Sequence, residues 1–321
     1  MPGSKRDAAI PGGSRMNPDK KRNPGHSVFQ RLLNYAKKQQ VDFNLLLFRY
    51  GIERLLYRLS ISPYSEVFIL KGASLFIVWK EHSYRMTKDA DLLGLEPMSA
   101  AEIANIFKEI CLVASDEVDG IQFMSDTVNT LPIREDQGYG GIRVILVGIL
   151  HHARIPLQID IGYGDVVTPP PEEIDFPTIL DAPAPHLLAY PLYTMVAEKL
   201  ETIVRLGIAN SRMKDFFDLW LLSLLFEFDG RTLCDAVRNT FQRRSTALAA
   251  EVPMSFTEEF SKDKQKQIQW RAFLRKSRPE NAPRDLDTVV SEVALFLMPV
   301  IKALQCDEML ELIWSQGGPW K

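Results

Sequence analysis

The stretch LKGASLFIVWKEHSYRMTKDAD, residues 70–91, constrains the fold more than any other part of the chain. EVFILKG (66–72) is short and apolar and predicts a strand that ends at Gly72. SLFIVWKEH predicts a helix opening directly after that glycine, and DADLLGL (89–95) predicts a second strand. Residues two apart in a strand share a face, so Asp89 and Asp91, which follow Lys88, project together. Two carboxylates that close repel unless water screens them or a cation uses them. Taken alone, the pair fits a solvated strand end as well as a magnesium site of carboxylates, waters and substrate phosphates.

Three further features bear on that choice. A strand ending in glycine and opening a helix leaves backbone N–H groups unpaired, and Gly72-Ala73-Ser74 would let a phosphate approach them, with Ser74 adding a hydroxyl; a plain helix cap is the simpler reading of the tripeptide by itself. Asp160 sits inside LQIDIGYGD (157–165), where Leu157, Ile159 and Ile161 face one way and Gln158 and Asp160 the other. If this strand neighbours the Asp89–Asp91 strand, three carboxylates converge beside the glycine turn, the makings of a two-metal site for phosphoryl or nucleotidyl transfer. The segment AEKLETIVRLGIANSRMKDFFDLWLL (197–222) then predicts two helices, with Asp215 and Asp218 on one face of the second. Helical salt bridges account for Glu198, Glu201 and Arg212, whereas Lys199, aimed back at the first half, would hold a triphosphate as a point charge.

Around these motifs the chain divides in two. Residues 28–59 read as helix with Asp42 as a cap, 99–114 as a helix opened by a Ser99–Glu102 capping box, and 121–134 alternate loosely, as a strand pair does. GIRVILVGIL (141–150) and ARIPLQIDIGYGD (153–165) predict a hairpin turned by His151 and His152, whose separation from other ligands gives them no metal role. The proline-rich 168–185 reads as a linker, and everything beyond it as helix: 191–207, 212–226, 229–244, 256–275, 285–304 and 306–315. The expected organisation is a disordered basic tail (1–26), an α+β domain with a mixed sheet and flanking helices (27–185), and an all-helical domain (186–321).

Composition excludes several classes. A formal net charge of −3 over 321 residues rules out a globally basic nucleic-acid coat. Cys111, Cys234 and Cys306 are odd in number and far apart, which gives no disulfide framework or CxxC site and fits a reducing cytoplasm. No apolar run reaches the ~18–20 residues of a membrane span. Between Arg238 and Arg284 basic residues outnumber acidic ones, so an RNA acceptor is expected to meet the helical half, although a merely solvated face reads equally well.

FILKGAS…RMTKDADLLG, IPLQIDIGYGD and AEKLETIVRLGIANSRMKDFFDL together resemble the AbiEii/AbiGii toxins, nucleotidyltransferases of the DNA polymerase β-like superfamily from type IV toxin–antitoxin and abortive-infection systems. The resemblance runs from about Phe29 to Leu222. Gly72, Ser74, Asp89 and Asp91 match the first motif of that family, with Ala73 separating glycine from serine. Lys199, Leu200, Arg205, Asp215 and Asp218 match the second, with Lys214 where arginine is usual. The resemblance implies a nucleotidyltransferase-like fold and transfer of a nucleotide from an NTP with Mg²⁺ or Mn²⁺, in some members to the 3′ end of tRNA. It implies that Asp89 and Asp91 hold both metals and that Asp160 binds the acceptor-side metal and helps deprotonate the attacking hydroxyl. It further implies catalytic parts for Lys199 and Asp218, nucleotide contacts from Gly72, Ser74, Lys199, Arg205 and Asp215, and a separate cognate antitoxin. A non-catalytic RNA- or protein-binding member would have lost a carboxylate, and a two-metal nuclease has no need of a phosphate turn at Gly72–Ser74.

Overall fold

The computed structural model describes residues 24–80, 89–115, 118–133, 140–248 and 250–321. Most of the expected tail and Lys88 lie outside the described residues, and Pro24–His26 already belong to the first helix. Helices α1 (Pro24–Gln39) and α2 (Phe43–Ser60) open the fold, and the Asp42 carboxylate caps α2 by accepting from the Leu45 amide at 2.9 Å. Then come β1 (Phe68–Lys71), a 3-10 turn (Gly72–Ser74), α3 (Leu75–Lys80), β2 (Ala90–Gly94) and α4 (Ala100–Leu112). The Ser99–Glu102 capping box at the start of α4 is formed. β3 (Ile121–Ile133) is one long strand rather than two, because the extra residues are absorbed by an irregularity between Met124 and Asn129 as it pairs with β4 (Gly141–Leu150). The hairpin of β4 with β5 (Ala153–Tyr163) forms as expected.

The segment expected as a linker adds two strands instead. β6 (Glu172–Asp175) pairs antiparallel with β7 (His186–Ala189), and β7 runs parallel to β1. The prolines of 168–185 flank these strands and do not occupy them, so the edge keeps its hydrogen bonds while Leu187 and Ala189 bury their side chains. The result is a seven-stranded mixed sheet in the order β3-β4-β5-β2-β1-β7-β6. Strands β2 and β5 are parallel, and this pairing decides the site: Asp91 stands opposite Asp160. The same register line continues through Arg143 on β4 and Lys71 on β1, giving Arg143–Asp160–Asp91–Lys71 across four strands.

α1, α2 and α4 pack over one face of the sheet, where Leu32, Tyr50, Leu92, Phe107, Leu146 and Leu157 form a first core. The remaining helices are α5 (Leu192–Leu206), α6 (Met213–Leu225), α7 (Gly230–Arg243), α8 (Glu258–Ser261), α9 (Lys264–Ser277) and α10 (Leu286–Gln305). They enclose a second core around Phe217, Val237, Phe260, Trp270 and Phe296, and Phe76 of α3 belongs to it. Two expectations fail here. The 256–275 helix is broken where the Asp263 carboxylate accepts from the Lys266 amide and starts α9 anew. Residues 306–315 are not helical: β9 (Ile313–Trp314) pairs with β8 (Phe228–Asp229), held by the buried Trp314, whose indole N–H donates to the Ser223 carbonyl at 2.8 Å. Among the described residues no helix is long and apolar enough to cross a membrane.

α2 also fastens the segment before β7. The Ile179 amide donates to Glu53 at 2.8 Å, and Arg54 donates to the Pro183 carbonyl at 2.6 Å. Burial pushes the Glu53 carboxyl up to about 7, against the opposing charge of Arg54. A raised carboxyl favours the folded state while protonated, so its contribution is full below the ordinary value of 4.5 and is lost as pH rises through about 7. Glu53→Gln is therefore expected to flatten the fall in melting temperature between about pH 5 and pH 8. An unchanged slope in a thermal melt series would contradict the assignment.

Candidate active site

A cleft of about 460 Å³ opens where the sheet meets α5 and α6. Its floor is the register line described above. Asp89, Asp91 and Asp160 each present a carboxylate oxygen, all within 4.8 Å of one another, and they form the only cluster of three or more potential ligands among the described residues. Burial, with the neighbouring charge of Asp89, pushes the Asp91 carboxyl up to about 6, while Lys214 and Lys71 pull it down. Oxygen-only donors at this spacing suit a hard divalent cation such as Mg²⁺ or Mn²⁺, so the residues present fit the metal that the sequence implies.

Gly72 is required where it stands. Its φ is +78°, and a Cβ there would lie 2.0 Å from Asp91 Oδ2. The turn thus brings bare backbone against the carboxylates. Ser74 is placed differently from the expectation: its hydroxyl donates to the Lys71 carbonyl at 3.3 Å, and the residue is buried and does not line the cleft.

The opposite wall comes from α5, from Arg212 just before α6 and from the first turn of α6. Lys199 lines the cleft, its Nζ donating to Asp215 at 3.1 Å and to Asp218 at 2.7 Å. Asp215 also accepts from Arg212 Nε at 2.6 Å, and these cations hold its carboxyl below the ordinary range despite burial. Asp218 is fully buried and does not itself line the cleft, but it accepts from Lys199, which does. Arg205 lines the cleft with its Nε on Glu201 at 2.9 Å, and Lys214 lines it as an exposed cation.

Several residues at the site were not singled out by sequence. Arg143 grips Asp160 with two bonds, Nε to Oδ1 at 2.8 Å and Nη2 to Oδ2 at 2.7 Å; its signal was a lone charge in an apolar strand. Lys71 donates to Asp165 at 2.8 Å and reaches Glu198 at 3.5 Å, while the Tyr190 hydroxyl donates to Glu198 at 2.9 Å. Arg244 joins Asp165 and Glu201 at 2.8 and 2.9 Å. Glu198 is thus an inter-element partner and not the within-helix salt bridge expected of it. Burial lowers Lys71, but Glu198, Tyr190 and Asp165 outweigh it and hold the ammonium well above its ordinary value. The basic set of the helical half does not form one free face: Lys266 is buried on the Asn210 carbonyl at 2.8 Å, and Lys262 pairs with Glu258 at 2.8 Å. The turn histidines pack against Phe29 and His26, with ring centroids 4.6 and 5.0 Å apart for His152–Phe29 and His151–His26.

The family model described as "Nucleotidyl transferase AbiEii toxin, Type IV TA system" matches residues 54–292, which include all three aspartates and both walls of the cleft. The chain belongs to the AbiEii family. That family is one of nucleotidyltransferase toxins of type IV toxin–antitoxin systems, and such a system implies a separate antitoxin. No curated protein matches the chain. Among solved structures, "Crystal structure of JHP933 from Helicobacter pylori" is similar with a TM-score of 0.47 and 14% identity, over 87% of this chain and 95% of that one. "Crystal structure of putative nucleotidyltransferase from H. pylori" is similar with a TM-score of 0.41 and 14% identity, over 87% of this chain and 98% of that one.

Proposed function

We propose that this AbiEii-family protein transfers a nucleoside monophosphate from an NTP to the 3′ hydroxyl of an RNA acceptor, tRNA being the leading candidate, and that it requires a divalent cation. The convergence of Asp89, Asp91 and Asp160 oxygens within 4.8 Å beside the Gly72 turn carries the reading. A divalent cation bound there supplies charge neutralisation at the α-phosphate and lowers the pKa of the attacking hydroxyl. The chain's own residues divide the remaining work. The bare backbone at Gly72 admits the phosphates, and Lys199, Arg205, Arg212 and Lys214 place positive charge along the opposite wall for the triphosphate. Asp215 and Asp218 orient Lys199. Arg143 fixes the orientation of Asp160, so that this carboxylate faces the attacking hydroxyl and accepts its proton as the new phosphodiester bond forms and pyrophosphate leaves.

Incubation with labelled NTPs, Mg²⁺ and total RNA tests the proposal. Labelled RNA is the expected result; shortened RNA would favour a nuclease, and unchanged RNA a binding protein. Gly72→Ala probes the turn. The left-handed backbone alone costs about 1–2 kcal/mol for a side chain, and the added methyl displaces Asp91. A lower melting temperature together with loss of transfer is expected, and full activity with unchanged stability would contradict the geometry.

A further inference from the structure

The sheet has a second face. β4 and β5 send Ile142, Val144, Leu146, Ile155, Leu157 and Ile159 into the core under α1, α2 and α4. The alternate residues point the other way, onto the face that carries Arg143 and Asp160. Register orders them in rows leading away from the carboxylates. Asn129, Ile145 and Gln158 form the row next to Asp160, and Gln122, Ile149 and Arg154 the far row. Arg154 and Pro156 are exposed, and Ile145, Ile149 and Gln158 are half-buried. Among the described residues the face is thus open along β5 and continuous with the cleft through Gln158, whose amide lies 3.3 Å from Asp160 Oδ1, whereas Val147 in the middle row is buried and its amide donates to the Thr127 hydroxyl at 3.0 Å. From Asp160 to Arg154 is six residues, about 20 Å of strand.

The chemistry of the face is selective. β3, β4 and β5 carry two acids among their described positions, Asp160 at the cleft and the exposed Asp126 in the irregularity of β3. Arg154 has no hydrogen-bond or ion-pair partner for its guanidinium among the described residues, which leaves it available to a phosphate. Asn129, Gln122 and Gln158 carry amides that both donate and accept, as base edges and 2′-hydroxyls require, and Ile145 and Ile149 offer apolar surface to base faces. A flat surface of this kind needs unpaired bases. We infer that the open face of β3, β4 and β5 seats the acceptor, a single-stranded RNA segment running from Arg154 toward its 3′ terminus at Asp160. This inference rests on the transfer reading above and names the surface that serves it. It also moves the acceptor away from the helical half, where several cations are already engaged.

The test uses the full-length protein and a 5′-labelled single-stranded oligoribonucleotide, with binding read by fluorescence anisotropy and transfer read by extension of the same oligonucleotide. Arg154→Glu and Ile149→Asp are compared with the native chain after circular dichroism has verified their folding. Both variants are expected to bind the RNA at least about tenfold more weakly with KM for the NTP unchanged, and Arg154→Glu to give a salt slope shallower by about 0.7. Affinities within about twofold of the native chain for both folded variants would overturn the inference, as would native protein that binds no single-stranded RNA. The two readings fail separately. Weakened RNA binding in the variants without transfer by any form would keep the surface and remove the reaction; transfer with RNA affinity and acceptor KM indifferent to both substitutions would keep the reaction and remove the surface.

Discussion

Asp91→Asn is expected to abolish nucleotide transfer, by about 10³-fold or more, while the protein remains folded. Asp91 lies at the centre of the register line, between Asp160 on β5 and Lys71 on β1, and its carboxylate sits against the bare backbone of Gly72. Its raised pKa shows that the ionised form is costly in this setting. An uncharged isostere removes that cost, so the variant should melt at the native temperature or above it in the absence of divalent cation. Stabilisation by added Mg²⁺, which follows mass action when the folded state alone binds, should appear for the native chain and be lost for the variant. Transfer at the native rate, or equal stabilisation of both proteins by Mg²⁺, would show that Asp91 holds no catalytic cation.

Lys199→Ala carries the second large effect, and here stability and activity are expected to fall together. The ammonium is shared by Asp215 and Asp218, at 3.1 and 2.7 Å, and both carboxylates are essentially buried. Breaking a buried pair by removing one partner costs about 3–5 kcal/mol, because the other charge stays desolvated. In a chain of this size that lowers the melting temperature by roughly 5–7 °C. Asp218→Asn added to Lys199→Ala should recover part of the loss, since it removes one stranded charge, whereas independent sites would give additive losses. Activity should not return with stability, because Lys199 also lines the cleft. An unchanged melting temperature for the single variant would contradict the role given to the ammonium.

The carboxylates were legible because the strand period places Asp89 with Asp91, and because an acid inside LQIDIGYGD has few structural uses. Whether β5 lay beside β2 was a question of sheet order, which local pattern does not encode; the parallel pairing of Asp91 with Asp160 answers it. Helix ends were readable wherever a side chain does the capping, as at Asp42 and Ser99. The strands at 172–175 and 186–189 escaped because proline punctuation dominates that segment, while their partners are distant in sequence. Trp314 misled in the same way: its apolar neighbours suggest a helix, but its anchor is the Ser223 carbonyl of α6, distant in sequence. At the site, the Lys71–Asp165–Glu198–Arg244 network joins four separate elements, and no spacing rule connects residues so far apart. Ser74 illustrates the opposite limit. Its position in the motif was visible, but the direction of its hydroxyl depends on the local turn.

The central claim is that Asp89, Asp91 and Asp160 hold a divalent cation for nucleotide transfer. Anomalous diffraction from a crystal soaked with Mn²⁺ and a non-hydrolysable NTP tests it most directly. The account predicts manganese density within about 2.2 Å of carboxylate oxygens from Asp89 and Asp91, with the triphosphate lying between Gly72 and Lys199. Ordered nucleotide bound elsewhere, or manganese absent from the three aspartates at saturating concentration, would contradict it.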